Sequence, residues 1–397
     1  MHFLPFPIAW YLDNNATTQP TPAVIEAMTG ALATYWQNPS STHRAGQAAR
    51  AQMELARRDI AALAGVRARE ITFTASDTES IDLAIRGVIG AWRSRGDEAR
   101  AAPIRLITTR IEHAAVRELA TELEHAKLAS VQWADVTSQG VVDLSSLDAL
   151  LSQKGWALTL VSIQWANNET GSIQPVEQIA KRCREHGAIF HCDGVQWIGK
   201  MPTDELLEPA QSSTIPSHRH AVMGPSCDLL SFSAHKFHGP KGVGVLWVRP
   251  GIKLRPVIAG TQELGRRGGT ENVPGIIGAG VAAAEAAEWL ADTTQRRVLE
   301  ALRDRFERMV LEACPGSLVN AAASTRLWNT TNIAFPRLEA EAMLLGLSER
   351  GVFASAGAAC SSGSLDPSPV LLAMGIPEAA AHGSLRFSLS RMSTREE

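Results

Sequence analysis

The chain has 397 residues, 45% hydrophobic and 20% charged, enough for a large core in one or two domains, with two closely packed domains expected. Its 38 basic and 41 acidic residues leave a formal charge of −3 without a long basic run, which argues against nucleic acid or an anionic membrane as partner. The apolar start is short, broken by Pro5 and Pro7 and without a basic leader, so it does not read as a signal peptide; no apolar run is long enough to span a bilayer; and five cysteines at irregular spacing argue against a disulfide framework and for a reducing cytoplasm.

In chain order, apolar runs predict strands at Ile71–Phe73, Ile104–Ile107, Val131–Trp133, Leu158–Ile163, Ala188–Phe190, Leu229–Phe232 and Val243–Val248. Between most of them lie stretches of helical spacing: Ala48–Leu63, Ile81–Trp92, Val116–Leu128, Leu144–Leu151 and Val176–Glu185. Strands alternating with helices predict an α/β domain with a mostly parallel sheet, its ligands collecting where strands end and helices begin. Leu206–Ser226, rich in Ser, Pro and Gly, reads as a surface insertion. From about Val273 the texture changes to an Ala-rich helix (Gly278–Leu290), a charged helix (Gln295–Glu312), a strand at Thr331–Phe335, a helix at Leu338–Arg350 and the Gly/Ser-rich loop Ser355–Ser364. This second part predicts a smaller α+β domain.

Leu229–Gly244, LLSFSAHKFHGPKGVG, concentrates the chemistry. A lysine leaving a buried strand into a Gly/Pro turn either snorkels to solvent or is held beside phosphate-binding hydroxyl and imidazole groups. Ser233 and His235 lie just before Lys236, and the second option is the arrangement a pyridoxal-phosphate Schiff base requires; the turn taken alone suits the first at least as well. Asp193 closes another strand, with Gln196 three residues on; it suits either a helix cap or a carboxylate facing a protonated pyridine nitrogen. His113 follows the Ile104–Ile107 strand and is either a packing residue or a proton shuttle stacked on a ring. Ser76 and Glu79 have capping-box spacing, and the free N–H groups of that helix start, with the Thr78 hydroxyl, suit a phosphate as well as a plain cap. Cys183, His186, His191 and Cys192 match no common tetrahedral zinc spacing, so no metal is expected. Gly239–Gly244 lacks the order of a nucleotide loop. Cys360 lies among small residues, which marks an accessible nucleophile, and Arg386 sits mid-strand, where its charge needs a partner such as an amino-acid carboxylate.

Together these motifs resemble the pyridoxal-phosphate-dependent cysteine desulfurases of the NifS/IscS-like type, within the class V aminotransferases. The matching runs are YLDNNATT (11–18), NPSSTH (38–43), IEH (111–113), NNETG (167–171), HCDGVQ (191–196), SFSAHKFHGPKGVG (231–244), GRRGGTENV (265–273) and RFSLSR (386–391). The resemblance implies a fold-type I α/β enzyme with a large cofactor-binding domain over 17–270 and a small domain from 1–16 and 271–397, shortened at its end. It implies that Lys236 carries the cofactor, Asp193 pairs with the pyridinium nitrogen, His113 stacks on the ring, and Gln196 and Asn168 lie near its phenolic oxygen. Thr78, Ser233, His235 and the backbone at Asp77 would hold the phosphate, while Asn168 and Arg386 hold the substrate carboxylate. Thr270 would reach a phosphate in a neighbouring subunit, implying a homodimer. Cys360 would take sulfur from L-cysteine as a persulfide and deliver it to an acceptor such as an iron–sulfur scaffold, leaving L-alanine.

The chain departs from the family pattern at Ser76 and Asp77, where small residues are usual. An acid beside a phosphate is unfavourable, so the capping spacing leads to the expectation that Asp77 faces solvent and binds only through its backbone. Two rivals stand beside the desulfurase: a related lyase or aminotransferase, selenocysteine lyase included, in which Cys360 is incidental, and a non-catalytic subunit that only docks sulfur-transfer partners.

Overall fold

The computed structural model describes residues 10–203, 226–357 and 366–396. Strands β1 (Trp10–Tyr11), β2 (Ile71–Thr74), β3 (Ile104–Thr109), β4 (Ser130–Ala134), β5 (Leu158–Gln164), β6 (Ile189–Asp193), β7 (Leu229–Ser233) and β8 (Gly244–Val248) are followed by β9 (Leu318–Val319), β10 (Thr330–Ala334), β11 (Val352–Phe353) and β12 (Ser384–Ser388). The helices are α1 (Pro22–Thr34), α2 (Arg44–Leu63), α3 (Asp77–Arg93), α4 (Asp97–Ala101), α5 (Ala114–His125), α6 (Leu144–Ser152) and α7 (Val176–Glu185). They continue with the turn α8 (Gln262–Gly265), α9 (Val273–Ala291), α10 (Thr293–Ala313), α11 (Ala340–Ser348), α12 (Pro369–Ala373) and α13 (Glu378–His382).

The central sheet has seven strands in the order β2-β8-β7-β6-β5-β3-β4. Pairing is parallel from β7 through β4, and β8 runs antiparallel between β2 and β7. Alternation along each strand explains why both faces are covered. Leu158 and Leu160 of β5, Leu229 of β7 and Leu246 and Val248 of β8 point into one core, while Val161, Ile163, Leu230, Val245 and Trp247 point into the other. On the first face α3 and α5 close the layer. Val116, Leu119, Ala120 and Leu123 follow the spacing of one helical face, and each buried Val or Leu among them contributes roughly 1.5–3 kcal/mol. On the second face α2 packs on α9 so closely that a Cβ on Gly280 would lie 2.6 Å from Ala56 Cα. A three-stranded sheet, β12-β10-β9, and the pair β1-β11 form a separate layer behind α10 and α11.

The predicted strands of the first half are all present within a few residues, and α7 spans the predicted Val176–Glu185. Helix α1 was not anticipated; its apolar pattern is weak, and the Thr21 cap with Pro22 at its first position marks the start instead. The anticipated insertion at 206–226 lies almost wholly outside the described residues, as does Cys360.

Candidate active site

The C-terminal ends of β3, β5, β6 and β7 meet at one edge of the sheet, beside the first turn of α3. A cavity of about 210 Å³ opens there, and its walls carry Asp77, His113, Asn168, Asp193, Lys236 and Arg386 among others. Residues from Asp77 to Arg386 thus collapse onto one site because strand ends in a parallel sheet all point the same way.

Lys236 closes the short turn Ala234–Lys236 after β7, and its Nζ donates to the carbonyls of Asn15 (2.7 Å) and Ala16 (2.9 Å). Asp193 ends β6, registered between Gln164 of β5 and Ser231 of β7. Its carboxylate accepts from the Val195 N–H at 3.0 Å. Burial pushes this carboxyl up to about 6, held back by that hydrogen bond and by Lys236. His113 caps α5, its Nδ1 accepting from the Ala115 N–H at 3.1 Å. Burial, then Lys236 and Arg117, lower the imidazole to about 4. The ring is therefore neutral at pH 7 and carries its proton on Nε2.

Arg386 is buried in β12. One arm donates to Asp13 (2.5 Å), another to the Asn168 carbonyl (3.1 Å), and its Nε has no hydrogen-bond partner among the described residues. A buried guanidinium with an unused donor on a cavity wall suits a substrate carboxylate. Gln196 is also buried, its amide donating to the Asn15 carbonyl at 3.1 Å and accepting from Lys200 at 2.5 Å.

The phosphate-binding candidates divide. Thr78 lies exposed in the first turn of α3, where N–H groups have no intrahelical acceptor. His235 lines the cavity and shares a hydrogen bond with Thr17 Oγ1 (3.1 Å); burial and Lys236 hold its imidazole down at about 3. Ser233 donates its hydroxyl proton to the Val243 carbonyl (3.0 Å), so it has to rotate before it donates to an anion. Thr270 does not join this cavity; it is exposed and lines a second cleft with Ala75 and Gly242. A Cβ on Gly244 would lie 2.2 Å from the Ser76 carbonyl, so glycine there lets the strand approach the start of α3.

The expectation for Asp77 is overturned. Ser76 caps α3 by accepting from the Glu79 N–H (3.2 Å), but Glu79 reaches back to the Ala75 N–H (2.8 Å) and pairs with Arg267 (2.8 Å). The Asp77 carboxyl turns inward, toward Asp193, Ser231 and Lys236, instead of out to solvent. The helix cap fixes where the backbone starts, and it leaves the side chain at the first position free to point either way.

Three site residues lie outside the sequence-level expectations. Asn15 bonds through its side chain to the Asn168 carbonyl, Thr330, Lys200 and Asn329 while its carbonyl holds Lys236 and Gln196. Lys200 is buried, and that burial, with Lys236 and Arg386 nearby, drives its amine well below the ordinary lysine range. Asp13 partners Arg386. Asn15 and Asp13 belong to the YLDNNATT run and Lys200 lies four residues past Gln196, so motif adjacency was the available signal. His191, considered for zinc, instead links Ser162 (2.9 Å) to Ser231 (3.2 Å).

Residues 10–205 and 210–397 match the family described as Aminotransferase class-V, and the chain belongs to that family, whose cofactor is pyridoxal 5'-phosphate. It is 44% identical to a protein named cysteine desulfurase from Nostoc sp. over 98% of this chain and 89% of that protein. A solved structure named NifS-like protein superposes with a TM-score of 0.82 at 36% identity, covering 98% of this chain and 95% of the other. Another, named SspA in complex with cysteine, gives a TM-score of 0.77 at 31% identity, covering 97% of this chain and 100% of the other. The three-layer fold is that of fold-type I pyridoxal-phosphate enzymes.

The donor set fits the cofactor. An amine on a short turn, a buried carboxylate at a neighbouring strand end and a helix start whose first N–H groups have no intrahelical acceptor suit respectively an aldehyde, a pyridine nitrogen and a phosphate.

Proposed function

We propose that this chain is a pyridoxal-phosphate-dependent cysteine desulfurase that converts L-cysteine to L-alanine and passes the sulfur through Cys360 to an acceptor. The observation that carries this reading is the opening of the Lys236 amine and the Arg386 guanidinium into one cavity. That cavity belongs to a chain so similar to named cysteine desulfurases.

When bound, the cofactor supplies an electron sink next to the substrate's α-carbon. Lys236 would hold the cofactor, and its Nζ is the base that takes the substrate α-proton. Asp193 would hold the pyridine nitrogen in its protonated form. His113 presents an N–H donor at Nε2, so it orients and donates before it can accept. Arg386 and Asn168 fix the substrate carboxylate, with Asn15 and Lys200 bracing Gln196 behind the site. The phosphate falls to Thr78, His235, Ser233 and the first N–H groups of α3. The thiolate of Cys360 attacks the substrate sulfur: an S–S bond forms, the C–S bond breaks, its electron pair stays with the carbon skeleton, and protonation there gives alanine. The persulfide then moves to an acceptor protein such as an iron–sulfur scaffold.

The same reading takes the protein as a cytoplasmic homodimer in which Thr270 acts across the interface. It also takes 17–270 as the cofactor-binding domain, with 1–16 and 271–397 as the small one. No helix among the described residues is long and apolar enough to cross a membrane.

The test compares wild type, Cys360→Ser and Lys236→Ala for alanine production and for protein persulfide by mass spectrometry after exposure to cysteine. Cys360→Ser should retain bound cofactor, form no persulfide and lose activity by several orders of magnitude, as removal of a covalent nucleophile does. Lys236→Ala should lose the absorbance of the lysine-bound cofactor. Wild-type alanine production by Cys360→Ser would hand the site to the lyase reading.

A further inference from the structure

The Asp77 side chain lines the cavity, and the desulfurase reading gives it no role. Its carboxyl Oδ1 is fully buried and has no hydrogen-bond partner among the described residues, and the residue forms part of the cavity wall. It opens α3 at the helix start assigned to the phosphate. Asp193, at the end of β6, and Lys236, in the turn after β7, line the same cavity. On β7 the Asp77 carboxyl also meets the Ser231 hydroxyl, which is bonded in turn to His191 Nε2 at 3.2 Å. His191 brings no charge, because burial holds its imidazole at about 3. The other titratable walls are His113 and His235, both neutral at pH 7 for the same reason, and Arg386, one arm of which is already paired with Asp13.

Two carboxyls and one amine therefore share a small desolvated space. Both acids cannot ionise there without repulsion, and a phosphate dianion at the start of α3 adds more negative charge. Burial first and Asp193 second push the Asp77 carboxyl well above the usual carboxylate range. Asp193 is the acid that must stay ionised to hold a pyridinium proton, so the neutral member of the pair is Asp77.

We propose that the Asp77 side chain is a further cofactor-binding group of this site, present as the neutral carboxylic acid, and that its ionisation weakens the hold on pyridoxal phosphate. The proposal rests on the reading of the cavity as the pyridoxal-phosphate site. It makes cofactor retention fall on the alkaline side. As an acid, Asp77 donates a proton to an acceptor. As an anion, it repels both Asp193 and the phosphate. Where only the protonated form binds, affinity falls about tenfold for each pH unit above its ionisation.

The experiment titrates cofactor-stripped wild type, Asp77→Asn and Asp77→Ala with pyridoxal phosphate, from about pH 6 to about pH 9, reading the absorbance of the lysine-bound cofactor. Proton equilibria of the cofactor and of Lys236 are common to all three, so the difference between curves isolates Asp77. At the acidic end Asp77→Asn should bind within about threefold of wild type. Toward the alkaline end wild type should weaken relative to both variants, with a gap that opens by up to about tenfold per pH unit. Asp77→Ala gives the same alkaline flattening without relying on an amide fitting the pocket. Parallel curves for all three proteins would overturn the role of Asp77 while leaving the cofactor site intact. If wild type itself shows no lysine-bound absorbance at any pH, the cofactor reading fails and this proposal with it.

Discussion

Glu112, next to His113, shows how a single buried acid in this site is tuned. Its carboxylate oxygens accept from Thr109 Oγ1 (2.6 Å) and from the Gln164 N–H (2.8 Å). Burial nevertheless dominates and raises the carboxyl to about 8. Between the ordinary value of 4.5 and about 8 the folded chain holds a proton that the unfolded chain has lost. Its contribution to stability is therefore full below that window and is lost as pH rises through it. Glu112→Gln, which keeps the shape and cannot ionise, should flatten this part of the pH dependence. Urea unfolding at pH about 5 and about 8 should show wild type losing on the order of a few kcal/mol more than the variant. Equal losses in the two proteins would mean that Glu112 is ionised in the fold. The same residue scale separates what motifs reveal from what they hide: Lys236 and Asp193 stand out by ending strands, whereas Lys200 reads from sequence as an ordinary lysine after a glycine.

At the scale of elements, α2, β2 and the turn α8 are tied by one buried ion pair. Arg57 of α2 meets Glu263 of α8 at 3.0 and 2.7 Å, and Glu263 also accepts from the Phe73 N–H of β2 at 2.7 Å. Glu263 and Leu264 adopt left-handed backbone, φ 49° and 60°, which only surrounding contacts can hold in non-glycine residues. Glu263→Ala leaves the Arg57 charge buried without this partner and should cost about 3 kcal/mol, read as a lower urea midpoint. The loop carrying Thr270 should loosen with it, seen as faster amide exchange over 264–271. An unchanged midpoint would show that Arg57 finds solvent once Glu263 is gone. None of this pairing was visible in sequence, because a helix, a strand and a turn separated by 206 residues in their outermost contact have no shared periodicity.

For the whole molecule, large apolar side chains remain exposed on α1, α2 and α8 and beside them. Trp36 is 72% exposed, Leu32 63% and Leu264 76%. Surfaces of this kind are commonly covered by a partner, and a second copy is the partner expected from the role proposed for Thr270. Sedimentation of the holoenzyme should give about twice the 42.7 kDa chain mass. Trp36→Glu together with Leu264→Glu should shift it toward the monomer and lower activity with it. A fully active monomer would remove Thr270 from the mechanism.

The strand and helix alternation of the first half, the strand-end positions of Asp193 and Lys236, and the family are legible in the sequence. These are local properties: apolar periodicity, strand ends marked by polar residues, and short motifs in a fixed order. Tertiary structure alone decided that Asn15 braces Lys236, that Arg386 finds Asp13, that Thr270 faces a different cleft, and above all that Asp77 points inward. A helix cap sets the backbone of the first turn, but the direction of a side chain there depends on what the neighbouring strands leave open. Here Asp193 at the end of β6 pairs with Ser231 in the middle of β7, and the Asp77 carboxyl turns inward toward them.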